Sequence, residues 1–126
     1  MTVRGHTVVA GGLGGIGTAI VADLAEHGHR VTAVDRRSRD ADGWIDEMVS
    51  RFGDAVEFRE LDVADEHAVQ RFAAELDDRG LEVAYLVNAQ ATLVKGAVWE
   101  LPLRHFEMVY RVNVVGSFLM CKAFAK

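Results

Sequence analysis

Short apolar runs alternate along the chain with longer segments whose apolar residues recur at helical spacing. The first run, residues 6–10, is rich in β-branched residues and ends in glycines, which is typical of a buried parallel strand. From Gly15 the apolar positions recur every three or four residues, which indicates an amphipathic helix that ends at Gly28. The predicted strands are residues 6–10, 30–34, 55–61 and 83–87, and the helices that follow them begin near residues 15, 44, 65 and 103.

This alternation predicts an α/β fold. Strands that alternate with helices of this length form a parallel sheet with right-handed crossovers, covered by helices on both faces. The expected architecture has three layers, α/β/α. Because no Ser/Gly/Pro-rich linker divides the 126 residues, we expect residues 1–126 to form one domain.

Composition narrows the classes of function. The net charge of −5, without a basic stripe, argues against a nucleic-acid partner. Cys121 is the only cysteine, so no intramolecular disulfide can form, and its apolar surroundings predict a packing residue. No apolar run approaches the ~18–20 residues that span a bilayer. The five histidines lack metal-ligand spacing. We therefore expect a cytoplasmic protein with neither membrane nor metal.

A glycine cluster separates the first strand from the first helix. The sequence Gly11-Gly12-Leu13-Gly14-Gly15-Ile16-Gly17 fits GxGxxG at positions 12, 14 and 17, and equally GxxxGxG at positions 11, 15 and 17. In either register, glycines allow a tight turn, close approach of a phosphate and close packing of the helix on the strand. The start of the helix would offer free N–H groups to a pyrophosphate. The predicted dinucleotide contacts here are Gly11, Gly14, Gly15, Ile16 and Gly17.

Asp35 follows the second strand, about 20 residues after the turn, where an acidic residue accepts hydrogen bonds from the adenosine ribose. A carboxylate there repels a 2′-phosphate, so the sequence favours NAD over NADP. Arg36 and Arg37 come next and are able to bind that phosphate, which weakens the preference. The alternative interpretation of Asp35 is a solvated strand end.

Taken in order, these motifs resemble the short-chain dehydrogenase/reductase family. The turn is similar to that family's TGxxxGxG, Asp62-Val63 to its Asp-Val after the third strand, and Asn88-Ala89 to its LVNNAG segment after the fourth. Asn113 falls on its vNxxG stretch. The resemblance implies a sheet in the order 3-2-1-4 and hydride transfer between nicotinamide and a carbonyl or alcohol carbon. It also implies that Asp62 and Val63 lie at the adenine, Asn88 and Ala89 beside the cofactor, and Asn113 in the catalytic tetrad.

The rest of that tetrad, a serine and a Tyr-xxx-Lys pair, has no counterpart in these residues. The residue four past Tyr85 is Ala89, and the residue four past Tyr110 is Val114. The resemblance therefore covers a truncated domain, from which we expect dinucleotide binding without self-sufficient catalysis. Acquired chemistry of another class is a further alternative, for which Gln90, Lys95 and Tyr110 would be the first residues to test.

Two segments of these motifs differ from the family, and in the second of them Ala89 replaces the second asparagine of LVNNAG. Ala10 stands where threonine is usual, which removes a hydroxyl that would tie the turn to the fourth strand. Ala91 stands where LVNNAG has glycine, which brings a Cβ toward the nicotinamide ribose.

Residues 103–125 predict one long helix that is apolar on two faces. Phe106, Val109, Gly116 and Met120 form one stripe, and Val112, Val115, Leu119 and Ala123 form another. One face would pack on the sheet, and the other would be covered either by further chain or by a partner subunit, since the resembled family builds its dimer interface with this helix. The fourth strand would lie at an open edge. An interaction module that pairs with itself or with a full-length relative is therefore the alternative function.

Overall fold

The computed structural model describes residues 5–36 and 40–125. Arg37, one of the two arginines considered for a 2′-phosphate, lies outside them. The strands are β1 His6–Ala10, β2 Arg30–Asp35, β3 Val56–Glu60 and β4 Val83–Asn88. The helices are α1 Gly15–Glu26, α2 Ala41–Phe52, α3 Glu66–Asp78, α4 Leu103–Tyr110 and α5 Gly116–Phe124, with a 3-10 turn at Gly53–Ala55 and a π-helical turn at Arg111–Val115. Asp65 is the N-cap of α3, since its Oδ1 accepts a hydrogen bond from the Ala68 N–H at 3.1 Å.

The four strands form one parallel sheet in the order β3-β2-β1-β4. This confirms the predicted α/β class and strand order. All five residues of β1 are buried, because β1 has a strand on each side and helices on both faces. By contrast, Ala84 and Tyr85 of β4 are exposed at the open edge of the sheet.

Successive residues of β1 point to opposite faces of the sheet and so enter two separate cores. Val8 and Ala10 pack with α3 and with Met120 of α5. Val9 packs on the other face with Val21 of α1 and Met48 of α2. The three predicted layers are therefore present, and the carboxyl ends of the strands all reach the same edge. Within the described residues, no helix is long and apolar enough to cross a membrane.

The helix at residues 103–124 differs from the prediction in three ways. It contains a π-helical turn at Arg111–Val115, which its apolar pattern does not reveal. The two apolar stripes are also wrong as predicted, because residues of one stripe do not share the same burial. Leu119 and Met120, which were assigned to different stripes, are both buried, whereas Phe106 is 59% exposed. Cys121 is exposed rather than packed. Phe106 and Cys121 are exposed because β4 is an edge strand, so only the last turns of this helix have a sheet to cover, whereas Leu119 is buried beside α3.

A polar network crosses the amino-terminal edge of the sheet. His6 Nε2 lies 2.5 Å from Thr32 Oγ1, and Thr32 donates to Glu57 Oε1 at 2.7 Å. Arg79 pairs with both oxygens of Glu57, at 3.0 and 3.2 Å. Because Thr32 gives its single proton to Glu57, His6 must donate from Nε2, and its buried Nδ1 is left without a partner among the described residues. Burial, together with the charges of Arg30 and Arg79, lowers the pKa of His6 despite the opposing charge of Glu57.

The lowered pKa of His6 predicts a stability that depends on pH. Between its folded-state pKa and the ordinary value of 6.5, the unfolded chain binds more protons than the folded chain. The contribution of His6 to the free energy of unfolding should therefore be complete above pH 6.5. It should fall as the pH drops below 6.5, by at most about 1.4 kcal/mol per pH unit for one proton. Urea denaturation from pH 7.5 to 5 measures this slope. We expect His6→Gln to flatten it and His67→Gln, at an exposed site on α3, to leave it unchanged. An equal slope in His6→Gln and the wild type would contradict the assignment.

Candidate functional site

The turn between β1 and α1 is built from glycines that serve two different purposes. Gly11 has a φ of +73°, and a Cβ there would lie 2.5 Å from the backbone nitrogen of Gln90. A Cβ on Gly12 would lie 2.6 Å from that of Ala33, and one on Gly17 would overlap the carbonyl group of Gly11. At Gly15, by contrast, a Cβ would meet nothing within 4 Å. Gly17 thus brings α1 against the turn, while Gly11 and Gly12 allow the turn to lie against Gln90 and Ala33, and the open side of the turn begins at the exposed Gly14.

The amino-terminal end of α1 lacks the groups that usually satisfy its N–H donors. Its N-cap is Gly14, no side chain bonds the first turn, and the first turn carries no acidic residue. The helix therefore presents N–H donors and the positive end of its dipole to any anion at Gly14–Ile16.

Asp35 is held beside this turn by backbone donors. Its Oδ2 accepts a hydrogen bond from the Leu13 N–H at 3.1 Å, and its Oδ1 accepts one from the Arg36 N–H at 2.8 Å. Each carboxylate oxygen has a second lone pair, so the half-buried carboxylate is still able to accept a hydroxyl from outside.

The segment after β3 is fixed by Asp62 and by the long helix. Asp62 Oδ1 accepts from the Ala64 N–H at 2.9 Å, and Oδ2 accepts no hydrogen bond from the described residues. Val63 is buried and packs closely on Gly116. A Cβ on Gly116 would lie 2.6 Å from Val63 Cγ2. Arg111 donates to the Ala64 carbonyl at 3.1 Å. The acidic residue is thus exposed on a firmly held loop.

The segment that continues β4 runs along the helix with matched spacing. Asn88 donates to Cys121 Sγ at 3.5 Å and Gln90 donates to Ser117 Oγ at 2.8 Å. Thr92 bonds Asn113 with both its N–H and its carbonyl, at 2.8 and 3.0 Å. Every second residue of the extended segment therefore meets every fourth residue of the helix. The two spacings match because two extended residues advance by about 6.6 Å and four helical residues by about 6.0 Å. The sequence interpretation missed these contacts, although the spacing of four between the three helix residues is a visible signal.

Asn113 lies in the π-helical turn, and both ends of its side-chain amide form a hydrogen bond. The amide group forms the two bonds to the backbone of Thr92, and the Asn113 carbonyl accepts from Ser117 Oγ at 2.9 Å. In this structure Asn113 therefore holds the loop after β4. π-Helical turns are frequent at functional sites, because the extra residue turns a side chain or carbonyl out of the regular register.

These segments enclose a cleft of about 260 Å³ at the carboxyl edge of the sheet. The predicted site residues that line it are Gly11, Gly14, Asp35, Arg36, Asp62, Val63 and Ala89. Other predicted residues lie around it: Gly17 is buried under the turn, Gly15 and Ile16 line a shallow groove between α1 and β4, and Asn88 and Asn113 support the loop. Gln90 lines the cleft, whereas Lys95 and Tyr110 are not among the described residues that do so.

The family model for short chain dehydrogenases matches residues 5–126. The chain belongs to the short-chain dehydrogenase family. It is 35% identical over 112 residues to an uncharacterized oxidoreductase of Thermotoga maritima, covering 89% of this chain and 43% of that protein. It is 31% identical to a D-threitol dehydrogenase of Mycolicibacterium smegmatis, covering 94% and 45%. Among solved structures, an NADPH-bound carbonyl reductase from chicken fatty liver shares the fold, with a TM-score of 0.83 and 22% identity over 98% of this chain and 48% of that one.

The chain thus spans less than half the length of the first relatives it matches. Among the described residues, no group of three metal-ligating side chains lies together.

The cleft fits the adenosine and pyrophosphate parts of a dinucleotide. The exposed glycines at the start of α1 leave the backbone open to phosphate, and Asp35 and Asp62 place carboxylate acceptors in the lining of the cleft. At the other end the cleft wall is Ala89, Gln90, Ala91 and Thr92. Ala91 is exposed there, so its methyl group is part of the surface that a nicotinamide ribose would meet.

Two glycines of α1 give a matched test of this turn. Gly17→Ala forces a methyl group into the Gly11 carbonyl, whose carbon would be 2.8 Å away, so we expect a loss of about 1–3 kcal/mol in unfolding free energy. Gly15→Ala meets open space and should leave stability unchanged or raise it by about 0.5–1 kcal/mol, because alanine is the better helix former. Urea denaturation compares the two. Equal effects would contradict the close packing of α1 on β1.

Proposed function

We propose that the chain binds a nicotinamide dinucleotide in this cleft, as the cofactor-binding part of a short-chain dehydrogenase/reductase. The observation that supports this most is the bond from the Leu13 N–H to Asp35, which sets a ribose acceptor directly beside the uncapped start of α1. The pyrophosphate would lie on the N–H groups of Gly14–Ile16, the ribose at Asp35, and the adenine at Asp62 and Val63. Asn88 and Ala89 would lie toward the nicotinamide.

The proposed cofactor is NAD rather than NADP. The Asp35 carboxylate is fixed by two backbone donors, so it is unable to swing away from a 2′-phosphate. Arg36 is exposed and lines the cleft, and it is the described cation that could partly offset this repulsion. The single cysteine is consistent with a reducing, cytoplasmic setting, which we also propose.

When bound, the dinucleotide supplies or accepts a hydride, and the reaction of the family exchanges it with a carbonyl or alcohol carbon. The residues of this chain would orient the cofactor and exclude water from its adenosine half. Residues 1–126 hold no Tyr-xxx-Lys pair to exchange a proton with the substrate oxygen. On their own they are therefore proposed to bind the cofactor without sustained turnover, and robust oxidation of NADH by the purified chain would contradict this.

Asp35→Asn tests both the binding and the choice of cofactor. Loss of a charge-assisted hydrogen bond should raise the Kd for NAD about tenfold or more, while the Kd for NADP should change less or fall, since the repulsion is gone. Isothermal titration calorimetry with both dinucleotides measures this. Asp46→Asn, an exposed carboxylate on α2, makes the same change of charge and should bind as the wild type does. Failure of the folded wild-type chain to bind either dinucleotide would overturn the proposed function.

A second function, association through the long helix, is supported by an exposed apolar stripe. Phe106, Tyr110, Val114 and Phe118 follow one another at helical spacing and are 59%, 51%, 49% and 63% exposed. The rings of Phe106 and Tyr110 stack with centroids 6.4 Å apart. Contiguous apolar surface of this kind is characteristic of protein interfaces. We propose that the helix pairs with a second copy or with a full-length relative.

Sedimentation velocity tests this association. We expect the wild type to sediment as a dimer at micromolar concentrations and Phe118→Glu to sediment as a monomer, because a charge would be buried at the interface. Val98→Glu places the same charge at an 83% exposed loop position and should remain dimeric. A monomeric wild type that unfolds cooperatively would argue against self-association.

A further inference from the structure

The peptide group between Gly12 and Leu13 is held from both of its polar ends. Its N–H, on Leu13, donates to Asp35 Oδ2 at 3.1 Å. Its carbonyl, on Gly12, accepts from Thr18 Oγ1 at 3.3 Å. Thr18 Oγ1 in turn accepts from the indole N–H of Trp44 at 3.0 Å. A continuous chain of hydrogen bonds therefore runs from α2 through α1 and the glycine turn to the carboxylate at the cleft.

We propose that Trp44, acting through Thr18, is a positioning residue for the cofactor cleft. It fixes the Gly12–Leu13 peptide and thereby the direction of the Asp35 carboxylate. This inference rests on the proposed function, in which Asp35 receives the ribose. Neither Trp44 nor Thr18 lines the cleft, so we assign their effect on binding to the orientation of this peptide, to which Thr18 is bonded directly.

We call the chain of hydrogen bonds from Trp44 through Thr18 and the Gly12–Leu13 peptide to Asp35 the relay. The donor and acceptor chemistry of its groups fixes the direction of each bond. An indole N–H only donates, and a threonine hydroxyl has one proton, which it gives to the Gly12 carbonyl. Because each donor polarises the next, the bonds in such a chain strengthen one another. A rotation of the Gly12–Leu13 peptide would break the bond to Thr18 and the bond to Asp35 together.

Trp44 is suited to this role because its ring is itself held in place. It packs against the buried cluster between the sheet and α1 and α2, and its ring meets Phe58 of β3 edge-on, with centroids 6.2 Å apart. The indole nitrogen is therefore presented to Thr18 from a rigid support, at little cost in side-chain entropy when the bond forms.

The relay also restrains a turn that lacks one of the hydrogen bonds usual in this family. Position 10 is alanine, so no side-chain hydroxyl ties the turn to β4. On that side the backbone alone makes the connection, through the bond from the Ala89 N–H to the Ala10 carbonyl at 2.9 Å. The opposite side of the turn is the one that Thr18 and Trp44 hold.

Four variants and a binding titration test the proposal. Trp44→Phe keeps an aromatic ring but removes the donor, and Thr18→Val keeps the shape but removes the hydroxyl. Each should raise the Kd for NAD and for ADP about three- to tenfold, the effect expected for one lost hydrogen bond. Thr18→Ser retains the hydroxyl and should bind as the wild type does. Trp99→Phe, at an 84% exposed loop position, is the matched control and should also be unchanged.

The double variant separates a relay from two independent contributions. If Trp44 acts only through Thr18, Trp44→Phe should have little further effect on the Kd in the Thr18→Val background. Full additivity of the two effects would contradict the relay, as would an unchanged Kd in both single variants.

Amide hydrogen exchange in the ligand-free chain gives a readout that does not depend on dinucleotide binding. The Leu13 amide should exchange faster in Trp44→Phe and Thr18→Val than in the wild type, while the central amides of β1 and β2 keep their protection. Uniform loss of protection would show that Trp44 serves stability alone and would overturn the proposal. If the wild type binds neither NAD nor ADP, the proposed function fails, whereas slower exchange at Leu13 in the wild type would still support the relay.

Discussion

The structure depends most on the close approach of α1 to the end of β1. Gly17 allows the helix backbone to lie against the Gly11 carbonyl, and Gly11 takes the left-handed conformation that turns the chain toward it. This contact sets the start of α1 at the carboxyl edge of the sheet, next to the strand end that carries Asp35. The Leu13 N–H then reaches the Asp35 carboxylate. A side chain at Gly17 would push α1 away from the strand end and so separate the start of the helix from Asp35, whereas one at Gly11 would meet the backbone of Ala89 and Gln90.

Much of this arrangement could be predicted from the sequence because its signals are local. The β-branched runs at residues 6–10 and 30–34 identify buried strands, and the order of strands and helices determines a parallel sheet. The carboxyl ends of parallel strands meet at one edge, which brings Asp35 and Asp62 together with the glycine turn. The position of the site follows from this topology. A residue with little signal of its own in the sequence, such as Asp62, is assigned through the resemblance to the family.

Long-range contacts and exposure were harder to predict. The apolar pattern of residues 103–125 fits a regular helix, and nothing local marks the π-helical turn, which accompanies the bonds between Asn113 and Thr92. Leu119 and Cys121 differ in burial because the sheet stops at β4, a fact that periodicity does not contain. The relay from Trp44 to Thr18 joins residues 26 apart in sequence. Its pattern, a tryptophan and a threonine among helical positions, suggests only packing until the two helices are placed side by side.

The central claim is that an adenine nucleotide binds where the start of α1, Asp35 and Asp62 meet. Mapping of backbone amide chemical shifts on titration with ADP tests it most directly, because every segment of the cleft carries its own reporter. Saturable changes in chemical shift should be confined to the amides of Leu13–Gly17, Asp35–Arg36 and Asp62–Ala64. The amides at the amino-terminal edge of the sheet, around His6 and Arg79, should be unaffected. Shifts elsewhere on the surface, or a folded protein whose spectrum does not change at millimolar ADP, would contradict it.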